Sequence, residues 1–254
     1  YRDMRTMSEL ASGAATRSVL YAKGAREEQA MAFLQPIVID TYAIGNPWLN
    51  YSVYLCNTLI PGVLMIFIFM VTVYGLGIEV KQGTVGSWLA KAKGQIWTAV
   101  GGKLLAQTVV FLLVGLFIVW YLYVHLRFPC HAGIGTMMIV MTLGILGAQG
   151  LGVFMFAMLP SLRLGLSFAS LWGVLSFSIC GMSFPVMAMH PALQGLAWLF
   201  PLRHYFLLYV NCALDGLPLS NAWPYAVALL AFAVLPMVLM RRLRHVMLYV
   251  PYTP

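Results

Sequence analysis

Between Tyr51 and Met240 the chain carries five long apolar stretches, and the one carboxylate within them, Glu79, sits at the end of the first. An α-helix rises about 1.5 Å per residue and the hydrocarbon slab of a bilayer is about 30 Å thick, so a span needs roughly 20 mostly apolar residues. Five segments meet that requirement: Tyr51–Ile78, Ile96–Val124, Ala132–Leu159, Leu164–Ala188 and Trp223–Met240, the last being short unless it runs on into the basic tail. A water-soluble chain that is 61% hydrophobic and 9% charged could not cover its own surface. The expected fold is therefore all-α and polytopic, with residues 51–254 forming the transmembrane domain and residues 1–50 lying outside it.

Basic residues near spans are retained in the cytoplasm, so their distribution orients the bundle. With the segment Glu79 to Gln95 inside, Lys81, Lys91, Lys93, Lys103, Arg163, Arg241, Arg242 and Arg244 are all cytoplasmic, and beyond the amino-terminal region only Arg127 and Arg203 face outward. Eight against two places the first fifty residues outside and the carboxy terminus in the cytoplasm. The net charge of +8 is then an orientation signal rather than a nucleic-acid footprint, because the inner basic residues hug the spans.

The amino-terminal fifty residues hold five of the seven acids and read as water-solvated. A helix is expected near Thr6 to Tyr21, broken at Gly24, and an extended strand from Leu34 to Ala43. So short a piece buries little surface alone and reads as the end of an α/β extracytoplasmic domain. The chain opens without a signal peptide or an initiating methionine, and an outside segment is translocated most easily behind another span. At least one amino-terminal helix is accordingly expected upstream. Cys130 and Cys212 both fall on the outer side, where an oxidising compartment would permit a bridge; unpaired cysteines also pack well as small apolar groups.

No cofactor or metal pattern appears among the four cysteines and five histidines. No span has a carboxylate at its middle of the kind proton-coupled carriers use. Gly101-Gly102-Lys103 lacks the earlier glycine and the following hydroxyl of a phosphate-cradling loop, so ATP, if used, is used by a partner. The segment Glu79 to Gln95 is amphipathic, with Val85, Trp88, Leu89 and Ala92 at helical spacing, and it suits either a docking helix between two spans or a lysine-rich loop resting on headgroups.

These residues occur in an order that resembles the permeases of type-2 ABC exporters, in the multidrug-type branch with an outer domain between the first two spans. The chain has GNPWLNY at Gly45 to Tyr51, Pro61-Gly62, Glu79 followed by Gly83-Thr84, then Gly102-Lys103 followed by LLAQTVVF, and finally GMSFPVMAMHPALQGLAWLFPLRHYF from Gly181 to Phe206. The likeness covers about four fifths of the chain, from Gly45 onward. It departs from the family at Lys81, where many members have a second acid, at Gly86, where an acid is frequent, and at Ala92, where proline is common.

The resemblance implies a half-transporter of six spans, of which five are present, pairing with an identical or related permease chain and with cytoplasmic ABC ATPase subunits that hold ATP and Mg. It implies a bacterial inner-membrane location and coupling through Glu79, Gly83, Thr84, Trp88 and Leu89. Glu79 would pair with Lys81 or with a partner's basic residue, Gly83 would make the turn, and the Thr84 hydroxyl would cap the coupling helix. Pro185, Pro191 and Pro201 prevent Phe184 to Tyr209 from crossing as one helix, so two short re-entrant helices are expected there as an outer gate. Gly144, Ala148 and Gly152 form a small-residue row suited to close helix contact. Gln107, Thr142, Gln149 and Ser176 are candidates for lining the pathway, which without fixed charge suits amphiphilic or apolar cargo. An intramembrane lipid-modifying enzyme and a non-transporting membrane anchor are the alternatives; the first would need clustered acids, histidines or a nucleophile with a base.

Overall fold

Residues that are apolar all round a helix leave no polar stripe for water, so each run closes its backbone hydrogen bonds internally and packs against its neighbours. The computed structural model describes residues 14–24 and 51–249. The chain divides into two units, residues 1–43 and 44–254. In the first, α1 covers residues 14–22. The strand expected from Leu34 to Ala43 and the Asn46-Pro47 motif lie outside the described residues.

Among its described residues the second unit has helices and no strands, its α-helices being α2 (Tyr51–Lys81), α3 (Val85–Lys91), α4 (Ile96–Trp120), α5 (Ile134–Met158), α6 (Leu162–Ile179), α7 (Pro191–Ala197), α8 (Pro201–Tyr209), α9 (Trp223–Val234) and α10 (Pro236–Tyr249). Five helical runs are long and apolar enough to cross a bilayer: α2, α4 with its π-turn to His125, α5, α6, and the pair α9–α10. The middle of the bundle is α5, 72% buried across its most apolar window against 17% for α4. It packs on α2, α4, α9 and α10.

Two boundaries differ from the sequence reading. The fourth span stops at Ile179 instead of reaching Ala188, because Gly181 takes φ +98° and the chain leaves the helix before Pro185. Its 18 residues rise about 27 Å, close to one slab thickness. The last span does extend into the basic tail, to Tyr249, but breaks at Leu235, because Pro236 has no N–H to offer the carbonyl of Phe232.

Glycine sets the interhelix distances. A Cβ on Gly62 would meet the Phe177 ring of α6 at 2.5 Å, so the Pro61-Gly62 pair gives α2 a bare surface where that ring seats. Gly144 faces Met65 and Tyr205, and Gly152 faces Thr72 and the backbone of Phe69, so this row meets α2 and α8. A second row, Gly147 and Gly150, faces α9: a Cβ on Gly150 would meet the Ala233 Cα at 2.6 Å and the Phe232 carbonyl oxygen closer still. That oxygen is the one Pro236 leaves without its helical partner, and it packs on the bare, buried face of Gly150.

Candidate functional site

The turn between α2 and α4 gathers the polar groups. Gly83, at φ +68°, lets the chain leave α2, and Lys93 and Gly94, at φ 54° and 75°, carry it into α4. The Gly94 amide donates to the Leu89 carbonyl at 2.8 Å, the six-to-one bond of a Schellman ending. Between these turns α3 buries Val85 and Leu89 and holds Trp88 half-buried, which keeps one face of this seven-residue helix against the bundle. The far end of α10 packs beside it, and Val80, Gly83, Val85, Met247 and Leu248 border a cleft of about 560 Å³.

Glu79 is the centre of this arrangement, and its partners are not those the sequence suggested. Its Oε1 receives the Lys103 ammonium of α4 at 2.5 Å, so within the chain its cation is Lys103 and not Lys81. Its Oε2 accepts the Thr84 hydroxyl. Thr84 occupies the N-cap position of α3, but its side chain caps no amide, having turned back to the carboxylate; its carbonyl instead receives the Trp88 amide and the Ser87 hydroxyl, both at 2.9 Å. Local spacing favoured the cap, and the carboxylate prevailed because a charge-assisted bond is roughly twice as strong as a neutral one. With side chains 24% and 19% exposed, the Lys103–Glu79 pair lies between surface and buried cases and is worth on the order of 2 kcal/mol.

The second cluster surrounds α7 and α8. Both helices begin at proline, Pro191 and Pro201 at N1, where the missing N–H has no helical partner to lose. Pro185 precedes the 3-10 turn Val186–Ala188, and Phe184 is exposed beside it. Protein buries α8 through Leu202, His204, Tyr205, Leu208 and Tyr209. Arg203 donates to the Cys180 carbonyl at the end of α6 at 3.2 Å and lies 5.7 Å over the Trp198 ring, tying the short helices to the span before them. His204 shares its Nε2 hydrogen with the Trp198 carbonyl at 2.9 Å, while its Nδ1 is buried with no partner among the described residues. Burial pushes the pKa of this imidazole below its ordinary value against the opposing carbonyl bond, and Arg203 adds to the depression.

The polar residues inside the spans bond to neighbouring backbone and to one another. Gln107 donates to the Val71 carbonyl at 3.3 Å and accepts from the Thr72 hydroxyl at 3.4 Å. Gln149 is buried and accepts the Thr108 hydroxyl at 2.8 Å. Ser176 is buried and returns its hydroxyl to Gly173, as Thr142 does to Met138. Cys130 and Cys212 are free thiols, although backbone bonds from His131 to Ala213 and from Ala132 to Cys212 bring their segments together.

Sequence reasoning missed Lys103 as Glu79's partner, and the four-residue spacing shared by Gly75 and Glu79 on one helix and Lys103 and Gln107 on the next was the signal that could have found it. No curated protein and no solved structure matches this chain. The model of the ABC-2 family transporter proteins matches residues 6–241. With five apolar helices and a family match across nearly its whole length, the chain belongs to the ABC-2 transporter family as a multi-pass membrane component.

Proposed function

We propose that this protein is the permease half of an ABC exporter, forming with a second permease chain, identical or related, a pathway for outward movement of amphiphilic or apolar cargo. It resides in a bacterial inner membrane with α3 and the carboxy terminus in the cytoplasm. ATP and Mg are held by a separate ATPase subunit that docks on α3, with Trp88 and Leu89 seating the helix, Gly83 and Thr84 forming its joint, and Glu79 passing its displacement to the spans. The observation that carries this reading is the fastening of α3: a short amphipathic helix between two spans, bound through Thr84 and Glu79 to Lys103, is built to transmit a push. The turns and short helices from Phe184 through Pro185, Pro191 and Pro201 act as the outer gate, two facing copies closing the exit. Gln107, Thr142, Gln149 and Ser176 bear on the pathway by setting how the helices beside it pack.

The test is co-purification of the full-length protein with its ATPase, reconstitution in vesicles, and measurement of ATP hydrolysis against cargo movement for wild type and Glu79→Ala. The expected result is that Glu79→Ala retains hydrolysis while losing cargo-dependent stimulation. Absence of any associated ATPase, or transport by the complex with no nucleotide consumed, would overturn the assignment.

A further inference from the structure

We infer that Lys103 is a positioning residue that clamps α3 to α2 and α4 together, and that Gln107, one turn along α4, continues the same clamp into the membrane. This deepens the proposed coupling role and rests on it for its consequence, though the clamp itself can be measured without any ATPase.

The starting point is that α3 hangs between two glycine joints. Gly83 and Gly94 both have positive φ, and neither has an atom within 4 Å of where a Cβ would stand. Burial of Val85 and Leu89 fixes which face of this seven-residue helix meets the bundle, but apolar contact alone leaves it free to slide on two such joints, and a partner's push would be lost there. Lys103 removes that freedom. Its ammonium donates to the Gly75 carbonyl at 2.6 Å and to Glu79 Oε1 at 2.5 Å, and lies 5.2 Å over the Trp88 ring. A lysine has three N–H donors and a cation that is attracted to an aromatic face, so one side chain holds α2 twice and α3 once. Glu79 then hands the connection to Thr84.

The contact has a repeat. Gly75 and Glu79 are four apart on α2, and Lys103 and Gln107 are four apart on α4, so each pair lies on one face. Gln107 reaches the Val71 carbonyl, one turn above Gly75, and the bare Gly75 leaves room for that amide, since a Cβ there would stand 2.8 Å from Gln107 Nε2 and push it aside. Two turns of α4 thus bind two turns of α2. Motion of α3 enters both spans as one displacement.

Hydrogen exchange of the full-length permease in lipid nanodiscs, followed by mass spectrometry, tests the clamp directly. Lys103→Met should raise exchange across residues 82–95 on the order of tenfold, as loss of a half-buried ion pair allows. Glu79→Gln should do the same, the double variant should be no worse than either, and the exchanged pair Glu79→Lys with Lys103→Glu should recover part of the protection. Unchanged exchange in Lys103→Met, or fully additive effects in the double variant, would overturn the proposal. If the charge-exchanged chain fails to fold, the single variants and their double still decide. In the ATPase complex, Lys103→Met should retain hydrolysis while losing its stimulation by cargo. Exchange that responds to Lys103 in a permease with which no ATPase associates would refute the coupling reading alone; an active complex with exchange insensitive to Lys103 would refute the clamp alone.

Discussion

Placing a single methyl group at the α5–α9 crossing should weaken this bundle more than its size suggests. In Gly150→Ala the new Cβ would lie 2.6 Å from the Ala233 Cα, roughly 1 Å inside ordinary carbon contact, with the Phe232 carbonyl oxygen closer still. Those atoms are backbone, so no rotamer change can relieve the clash, and α9 must move off α5 as a body. Overpacking costs 1–3 kcal/mol where side chains can give. Here the upper end applies, about 3 kcal/mol, or roughly a hundredfold in the folded fraction. The control is Gly101→Ala, a helical glycine with open space around it, where better helix propensity should leave stability unchanged or raise it by up to about 1 kcal/mol. Denaturant titration in mixed micelles, read by tryptophan fluorescence, measures both. Equal midpoints for the two variants would refute the close crossing and the account of the carbonyl freed by Pro236.

Three further outcomes are expected. Gly83→Ala should lower the unfolding midpoint by the equivalent of about 1–2 kcal/mol because alanine resists the φ of +68° there, whereas Gly86→Ala, inside α3 and unobstructed, should not; equal effects would remove the turn argument. Burial holds the His204 pKa below the ordinary 6.5, so its contribution is complete above pH 6.5 and is lost as pH falls below it, when the unfolded chain gains the proton first. The drop in Tm between pH 7.5 and 5.5 should therefore shrink in His204→Gln, and an unchanged drop would place the sensitivity elsewhere. A cysteine at exposed Ser87, in a chain whose four native cysteines are replaced by alanine, should react with a membrane-impermeant maleimide in inverted vesicles and not in intact cells; the opposite pattern would invert the topology.

The helices were legible because their cause is local. An apolar run of sufficient length has no alternative to closing its own hydrogen bonds in a bilayer, and the prolines that broke the region after α6 announced where new helices start. The end of that span was less legible, since Gly181 lies inside an apolar run and only its backbone angle terminates the helix. Glu79, Gly83 and Thr84 could be picked out as a group, but what each touches could not. The family resemblance implied a hydroxyl cap and a neighbouring lysine; the folded chain supplied a carboxylate for the hydroxyl and a lysine 24 residues away for the carboxylate.

The same division applies inside the membrane. Gln107 and Gln149 are visible in any reading of the spans as polar groups at depth, yet only packing shows that they bond to α2 and α4. Gly144, Ala148 and Gly152 declared themselves by their spacing, whereas Gly147 and Gly150 acquire meaning only against the backbone of α9. Sequence alone determined that the chain spans a membrane, roughly where each helix runs, and which loop carries the charge, because hydropathy and proline act on the residues that bear them. Tertiary structure decided which groups pair and which helix lies at the centre, because those depend on surfaces brought together from distant parts of the chain.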